Sequence, residues 1–182
     1  MAAFFNKKAK QSIEGRKGIF EKLKSQNFDG NWIWMHCASL GEFEQGRPLI
    51  EKIKKEQTNQ KIILSFFSPS GYEIRKNYDG ADAVIYLPYD SPSNARKFLE
   101  IVQPQKAIFV KYEFWHFYLN GLKKRKIPTY LISAVFRKEQ SFFKWYGGFF
   151  KNMLSSFSYI FTQDEASVFL LKKIGFENAK AI

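Results

Sequence analysis

The sequence predicts one Rossmann-like α/β domain, with a mostly parallel sheet and helices on both faces. Six short apolar runs, rich in β-branched and aromatic residues, alternate along the chain with segments of helical spacing. Strands that alternate with helices of this length are typical of parallel sheets joined by crossover helices. A chain of 182 residues with 45% hydrophobic positions is long enough for one such domain.

The strands are expected where the apolar runs lie between turn-forming residues. In chain order they cover 32–36, 61–66, 83–86, 106–110, 129–133 and 159–162. The last residues, GFENAKAI, read as the opening of a further strand after a helix and its glycine stop. We therefore expect the chain to be part of a longer protein.

Helix boundaries are marked by capping residues. Ser91 followed by Pro92 has the pattern of an N-cap with proline in the first turn. Asp164 predicts the start of another helix, which Gly175 ends. One basic helix is expected over about 7–25, ahead of the first strand.

The net charge of +12 is concentrated in two segments. Residues 1–26 carry seven basic and two acidic side chains, and residues 123–151 carry eight basic and one acidic, so these segments hold the whole excess. Such a charge predicts an anionic partner: nucleic acid, a phosphorylated substrate or an acidic membrane surface. One cysteine and two histidines argue against a disulfide scaffold and against a cysteine- or histidine-rich metal site, and no metal is predicted.

The second basic segment is also crowded with aromatic rings. Lysines interleaved with such rings suit a membrane interface, although single-stranded nucleic acid would use the same residue types. The predicted membrane-contact residues are Phe142, Phe143, Lys144, Trp145, Phe149 and Phe150.

Ligands of parallel α/β sheets bind beyond the carboxyl ends of the strands, so the loops there hold the candidate site. Ser39, Gly41 and Glu42 follow the first strand. Their S-x-G-E pattern predicts either a capping box, in which Glu42 folds back onto the Ser39 amide, or a carboxylate that acts as general base.

Two later loops carry further candidates. Ser68, Ser70 and Gly71 follow the second strand and predict either a serine-capped turn or a phosphate-binding loop. Glu113 follows an apolar strand, either as an acid favoured at a helix N-terminus or as a second carboxylate in the crevice of Glu42.

Read together, these loops resemble a known family. The ordered set is H-x-x-S-x-G-E (36–42), S-P-S-G (68–71), Y-L-P-x-D (86–90), Y-E-F-W (112–115) and T-Q-D-E-A (162–166). In order and spacing it is similar to the Kdo (3-deoxy-D-manno-octulosonic acid) transferases, which are GT-B glycosyltransferases. The resemblance runs from about Gly15 to the last residue.

The resemblance implies an enzyme of two Rossmann-like domains, of which this chain is the N-terminal, acceptor-binding half. Residues 1–26 would form a basic membrane-proximal helix and 27–182 the acceptor domain, while the domain that binds the donor CMP-Kdo would lie outside the chain. The chain alone is then expected to be inactive. The implied acceptor is a phosphorylated lipid A precursor at the cytoplasmic face of the bacterial inner membrane. The chain would be peripheral there and the full-length protein anchored. No cofactor and no nucleic acid are expected.

The resemblance also implies roles for single residues. Glu42 would be the general base that deprotonates the acceptor hydroxyl, and Glu113 would stabilise the transition state of an inverting transfer. Acceptor binding is assigned to Ser39, Gly41, Ser68, Ser70 and Gly71. The chain departs from the family after Glu113, where many members have L-W-P, and at 133–137, where no site is carried over. Two alternatives stay open: a GT-B enzyme acting on another anionic lipid or glycan, and a non-catalytic basic module that binds nucleic acid.

Overall fold

The computed structural model describes residues 2–182, with side chains from Lys7 onward. The strands are β1 Trp32–Cys37, β2 Lys61–Phe66, β3 Ala83–Tyr86, β4 Lys106–Val110, β5 Thr129–Ala134, β6 Tyr159–Thr162 and β7 Ala179–Ala181. The α-helices are α1 Ala2–Arg16, α2 Ile19–Lys24, α3 Leu40–Glu56, α4 Pro69–Arg75, α5 Pro92–Val102, α6 His116–Lys124, α7 Gly148–Leu154 and α8 Glu165–Lys173. A short 3-10 helix covers Ser141–Phe143.

The seven strands form one sheet in the order β3-β2-β1-β4-β5-β6-β7, and every pair of neighbours is parallel. Consecutive parallel strands need a crossover, and the helices supply it. The predicted α/β fold is thereby confirmed, and the strand predicted at the last residues is β7.

Helices cover both faces of the sheet, as the side chains of β1 show. Trp32 and Trp34 belong to one hydrophobic core together with α5 and α6, whereas Ile33, Met35 and Cys37 belong to a second core with α3. Alternate residues of a strand point to opposite faces, so the two cores lie on opposite sides of the sheet. Because β1 is buried along its whole length, its sequence is apolar on both faces.

The predicted caps are confirmed. The hydroxyl of Ser91 accepts the backbone N–H of Asn94 at 3.2 Å, and the Asp164 carboxylate accepts that of Ser167 at 2.6 Å. Gly175 ends α8 with a φ of 85°, a left-handed conformation that glycine adopts without steric cost.

The single basic helix predicted over 7–25 is wrong, because the chain forms two helices there. Gly18 separates them with a φ of 64°, which a right-handed helix cannot accommodate. The break redirects α2 so that Ile19 and Leu23 reach the core shared by β1 and α5. Among residues 2–182, no helix combines the length and the apolar character needed to span a bilayer.

Arg16, at the end of α1, is buried with only 8% of its surface exposed. Its guanidinium donates from Nε to the Leu87 carbonyl at 2.8 Å and from Nη2 to the Phe67 carbonyl at 2.7 Å. The rings of Phe67, Tyr86 and Tyr89 surround it, with centroids 4.5–5.0 Å from Cζ. Arg16 therefore anchors α1 to the segments that follow β2 and β3. From the sequence it was counted only among the basic residues of 1–26.

Replacing Arg16 by methionine should lower the free energy of unfolding by about 2–4 kcal/mol, because the buried Leu87 carbonyl and the part-buried Phe67 carbonyl lose charged hydrogen bonds. Urea unfolding followed by tryptophan fluorescence measures the loss. Lys17→Met is the matched control, since Lys17 is exposed. Equal stabilities of the two variants would show that Arg16 is not a structural anchor.

Candidate active site

The candidate site lies where β1, β2 and β4 end, and the parallel register determines which residues meet there. His36 on β1 is paired with Ser65 on β2 and with Phe109 on β4. Glu42 lies in the first turn of α3, shortly after β1, and Glu113 lies in the loop after β4. Both carboxylates thus enter from the carboxyl edge of the sheet.

The loop after β1 does not form the predicted capping box. Ser39 is the N-cap residue of α3, but its side chain accepts no backbone N–H of the helix. Instead its hydroxyl donates to Oε2 of the half-buried Glu42. Gly41 is exposed, and a Cβ built there would come no nearer than 3.8 Å to any neighbour, so the loop does not require glycine.

Glu42 and Glu113 both lie near the end of β1, where each influences the thiol of Cys37 electrostatically. Cys37 is fully buried, and burial raises the pKa of its thiol well above the usual value. The negative charges of Glu42 and Glu113 raise that pKa further. The two acids that the sequence placed in one crevice therefore flank the same strand end.

Glu113 is held over β1 by a sharp turn and two donors. Lys111, two residues before it, has a φ of 69°, a left-handed conformation that costs a non-glycine residue about 1–2 kcal/mol. Oε2 of Glu113 accepts the Trp115 indole N–H at 2.6 Å and lies 3.2 Å from His36 Nε2. The Glu113 side chain is 13% exposed, so it reaches the surface without being freely solvated.

A buried polar network continues behind Glu113. Ser65 Oγ lies 2.8 Å from His36 Nδ1 and accepts the Trp34 indole N–H at 2.7 Å. Sequence reasoning used His36 only as the first residue of the H-x-x-S-x-G-E motif and did not single out Ser65. The available signal was a histidine and a serine inside apolar strands, since buried polar groups need partners.

The loop after β2 adopts the serine-capped turn. Ser68 is the N-cap of α4 and accepts the Ser70 amide N–H at 3.3 Å, while the two hydroxyls lie 3.0 Å apart. A Cβ on Gly71 would come within 2.2 Å of the Phe66 ring, so glycine is required for the helix to approach the strand. Acceptor binding by these residues stays a prediction.

The aromatic segment divides between core and surface. Phe142 is only 6% exposed and packs on Phe114 at 4.7 Å, so the prediction that it contacts a membrane is wrong. Phe143 and Phe150 are half-buried against the same core, and Lys144 is half-buried as well. The exposed rings are Trp145 at 96%, Tyr146 at 56% and Phe149 at 55%, of which the prediction omitted Tyr146.

Comparison with known proteins identifies the family. Residues 11–182 match the family model described as 3-Deoxy-D-manno-octulosonic-acid transferase (kdotransferase). The chain belongs to the Kdo transferase family. It is 32% identical over 123 residues to the 3-deoxy-D-manno-octulosonic acid transferase of Aquifex aeolicus, covering 67% of this chain and 33% of that protein. It is 28% identical over 126 residues to the 3-deoxy-D-manno-octulosonic acid transferase of Haemophilus influenzae, and this match covers 69% of this chain and 29% of that protein. The chain thus spans about a third of these relatives.

Solved structures place the fold of this Kdo transferase domain among N-terminal halves of GT-B-like enzymes. The UDP-N-acetylglucosamine 2-epimerase of Rickettsia bellii matches with a TM-score of 0.61 at 14% identity, covering 83% of this chain and 44% of that one. MurG of Acinetobacter baumannii matches with a TM-score of 0.53 at 8% identity, and this match covers 76% of this chain and 42% of the MurG chain. At these identities the likeness concerns the fold alone.

In this Kdo transferase domain, Asp90 ties the loop after β3 to α6. Its carboxylate accepts the backbone N–H groups of Phe117 and Tyr118 at 3.1–3.2 Å. Ser91 caps α5, as predicted, whereas Asp90 caps α6. Burial raises the pKa of Asp90, against the opposing effect of these hydrogen bonds.

Asp90→Ala should lower the free energy of unfolding by about 1–2 kcal/mol through loss of the cap, and Asp90→Asn by less. Since the pKa is raised in the folded chain, ionisation of Asp90 costs stability. The stability of the unsubstituted chain relative to Asp90→Asn should therefore fall as pH rises through the raised pKa. Urea unfolding across the carboxyl titration range measures this, and a pH-independent difference would contradict it.

Proposed function

We propose that the chain is the acceptor-binding domain of an inverting glycosyltransferase that moves Kdo from CMP-Kdo to a phosphorylated lipid A precursor in lipopolysaccharide biosynthesis. The observation that carries the proposal is the pair of carboxylates, Glu42 and Glu113, at the end of β1 in a Kdo transferase domain. Family membership supplies the reaction class, and the pair supplies groups suited to it.

In the proposed step Glu42 removes the proton from the acceptor hydroxyl as that oxygen attacks the anomeric carbon of Kdo. The new carbon–oxygen bond forms on the face opposite the phosphate, and CMP leaves with the electron pair of the broken bond. The proton remains on Glu42. The Ser39 hydroxyl bonded to Oε2 of Glu42 would orient that carboxylate.

Glu113 would stabilise the positive charge that develops on the sugar ring in an oxocarbenium-like transition state. A carboxylate placed in advance near such a charge acts without reorganisation at the moment of reaction. Limited exposure strengthens the interaction, because less water screens it.

An apolar hollow beside Glu113 supports a lipid acceptor. Its volume is about 370 Å³, and its lining includes Tyr112 and Phe114, the two chain neighbours of Glu113. The remaining lining residues are Gln140, Ser141, Phe142, Phe150 and Met153. We assign to this hollow an apolar part of the acceptor.

We further propose that donor binding needs residues outside this chain, since the matched part of the chain covers only about a third of each of these relatives. The chain alone is then inactive in transfer. A functional test therefore uses a two-domain protein, in which this chain replaces the aligned third of the A. aeolicus enzyme.

In that two-domain protein, Glu42→Gln should lower kcat by about 10²–10⁴-fold, the usual contribution of a general base. Glu113→Gln should also lower kcat, because the neutral amide cannot stabilise a cation. Mass spectrometry of the lipid product measures Kdo addition and would reveal another sugar or acceptor.

The matched control is Glu56→Gln, an exposed acid at the end of α3, which should leave kcat unchanged. Full activity of Glu42→Gln would show that Glu42 only favours the start of α3, and it would contradict the mechanism. Transfer by the unextended chain would contradict the assignment of the donor site.

The exposed rings Trp145, Tyr146 and Phe149, together with the second basic segment, are proposed to dock on the anionic inner-membrane surface. Aromatic rings enter the headgroup region while lysines attract anionic lipid. This docking would place the domain at the cytoplasmic face, where the lipid acceptor is proposed to lie.

The chain should float with vesicles containing anionic phosphatidylglycerol and less with neutral phosphatidylcholine vesicles. Trp145→Ala combined with Phe149→Ala should weaken flotation, and added salt should weaken it further. Phe169→Ala, which removes an exposed ring on α8, is the control. Equal flotation with both lipids, or none, would refute docking by this segment.

A further inference from the structure

His36 is the one wholly buried histidine in the part of the chain that the structure describes, and both ring nitrogens have partners. Nδ1 lies 2.8 Å from Ser65 Oγ, and Nε2 lies 3.2 Å from Oε2 of Glu113. Ring edges of Phe109 and Trp115 pack around the imidazole at centroid distances of 5.8 and 5.6 Å. No face of this ring is open to a substrate.

The hydrogen atoms of this network can be assigned from the partners. The Trp34 indole N–H can only donate, so it uses one lone pair of the Ser65 hydroxyl. The Ser65 hydrogen then needs an acceptor, because Ser65 is fully buried and an unpaired O–H there would cost free energy. Within the described residues, the acceptor in reach is Nδ1 of His36.

An Nδ1 that accepts from Ser65 carries no hydrogen, so the ring hydrogen sits on Nε2. There it points at Glu113, and the bond runs from His36 Nε2–H to Oε2. A neutral imidazole with this tautomer follows from the order Trp34, Ser65, His36, Glu113, in which each group donates to the next. The register pair of His36 and Ser65 makes the order possible.

Both donors of Glu113 reach the same oxygen. Trp115 Nε1 and His36 Nε2 converge on Oε2, and no hydrogen bond within the described residues involves Oε1. One carboxylate oxygen is therefore fixed and the other is left for a ligand. Neither donor carries a full positive charge, so neither offsets the negative charge of an ionised Glu113.

We infer that His36 is a positioning residue, which holds Glu113 through an Nε2–H tautomer imposed by Ser65 and Trp34. The role in turnover rests on the proposed function of Glu113, whereas the tautomer does not. His36 is not a catalytic residue, because its burial keeps it from the reacting atoms.

Nitrogen NMR of the chain tests the tautomer directly. The chain has two histidines, so His116→Asn assigns both ring signals. We expect His36 to show a protonated Nε2 and an unprotonated Nδ1, with the Nε2 signal displaced by Glu113→Gln. Ser65→Ala should displace the Nδ1 signal, because that nitrogen loses the hydrogen bond that it accepts. A proton on Nδ1 of His36 would overturn the inference, as would an Nδ1 signal unchanged in Ser65→Ala.

Kinetics of the two-domain protein test the positioning. His36→Asn keeps an acceptor for Ser65 but presents no donor to Glu113, and it should lower kcat by about 10- to 100-fold with the KM for CMP-Kdo unchanged. His36→Gln can present an amide N–H near the Nε2 position and should restore most of kcat. His116→Asn is the control and should retain activity.

The outcomes separate this inference from the proposed function. If Glu113→Gln lowers kcat but both His36 variants retain it, the positioning role is refuted and the function stands. Equal losses in His36→Asn and His36→Gln would show a structural role and also refute positioning. If the two-domain protein transfers no Kdo, the proposed function fails together with the positioning role. If it transfers Kdo but tolerates Glu113→Gln, the proposed roles of Glu113 and His36 both fail. In either case the NMR result still decides the tautomer.

Discussion

The parallel pairing of β1 between β2 and β4 determines which side chains meet at the candidate active site. In this register His36 is opposite Ser65 on one side and Phe109 on the other. Because side chains alternate between faces, Trp34 lies on the same face as His36 and completes the donor order. A slip of one residue would bring Met35 or Cys37 to that face and leave Glu113 without its buried donor. The chemistry at the sheet edge thus depends on strand alignment inside the core.

Outside the sheet, the buried Arg16 and the half-buried Asp90 hold the surrounding loops, and each bonds to backbone groups. Arg16 donates to carbonyls that follow β2 and β3, while Asp90 accepts amides at the start of α6. Bonds to the backbone are independent of neighbouring side-chain identity, so they fix the path of the chain. The loop after β3 is held at both of its ends in this way. The crevice is therefore bordered by segments whose positions are set before any ligand binds.

The sequence was sufficient for features that depend on neighbours along the chain, and insufficient for those that depend on distant partners. The strands, the caps at Ser91 and Asp164, and the stop at Gly175 follow local patterns, and the structure has them all. Arg16 bonds to a carbonyl 71 residues away, and His36 contacts a carboxylate 77 residues away, so no local pattern could reveal either role.

The same division explains the errors in the aromatic and basic segments. Composition counts rings and charges, but it does not say which face of a short helix they occupy. Phe142 turns inward on Phe114 whereas Trp145 points out, although three positions separate them. Likewise, Gly18 breaks the predicted basic helix through one backbone angle, whose effect depends on the core that receives α2.

The partners of the two carboxylates are consistent with the charge that the proposed reaction requires. The chain has 29 lysines and arginines, yet within its described side chains no ion pair joins Glu42 or Glu113 to any of them. A basic partner would hold these carboxylates firmly, but it would also offset the negative charge that a developing oxocarbenium ion needs. Hydroxyl, indole and neutral imidazole donors orient a carboxylate without adding positive charge. Among the described side chains, these uncharged donors are the partners that the two acids have.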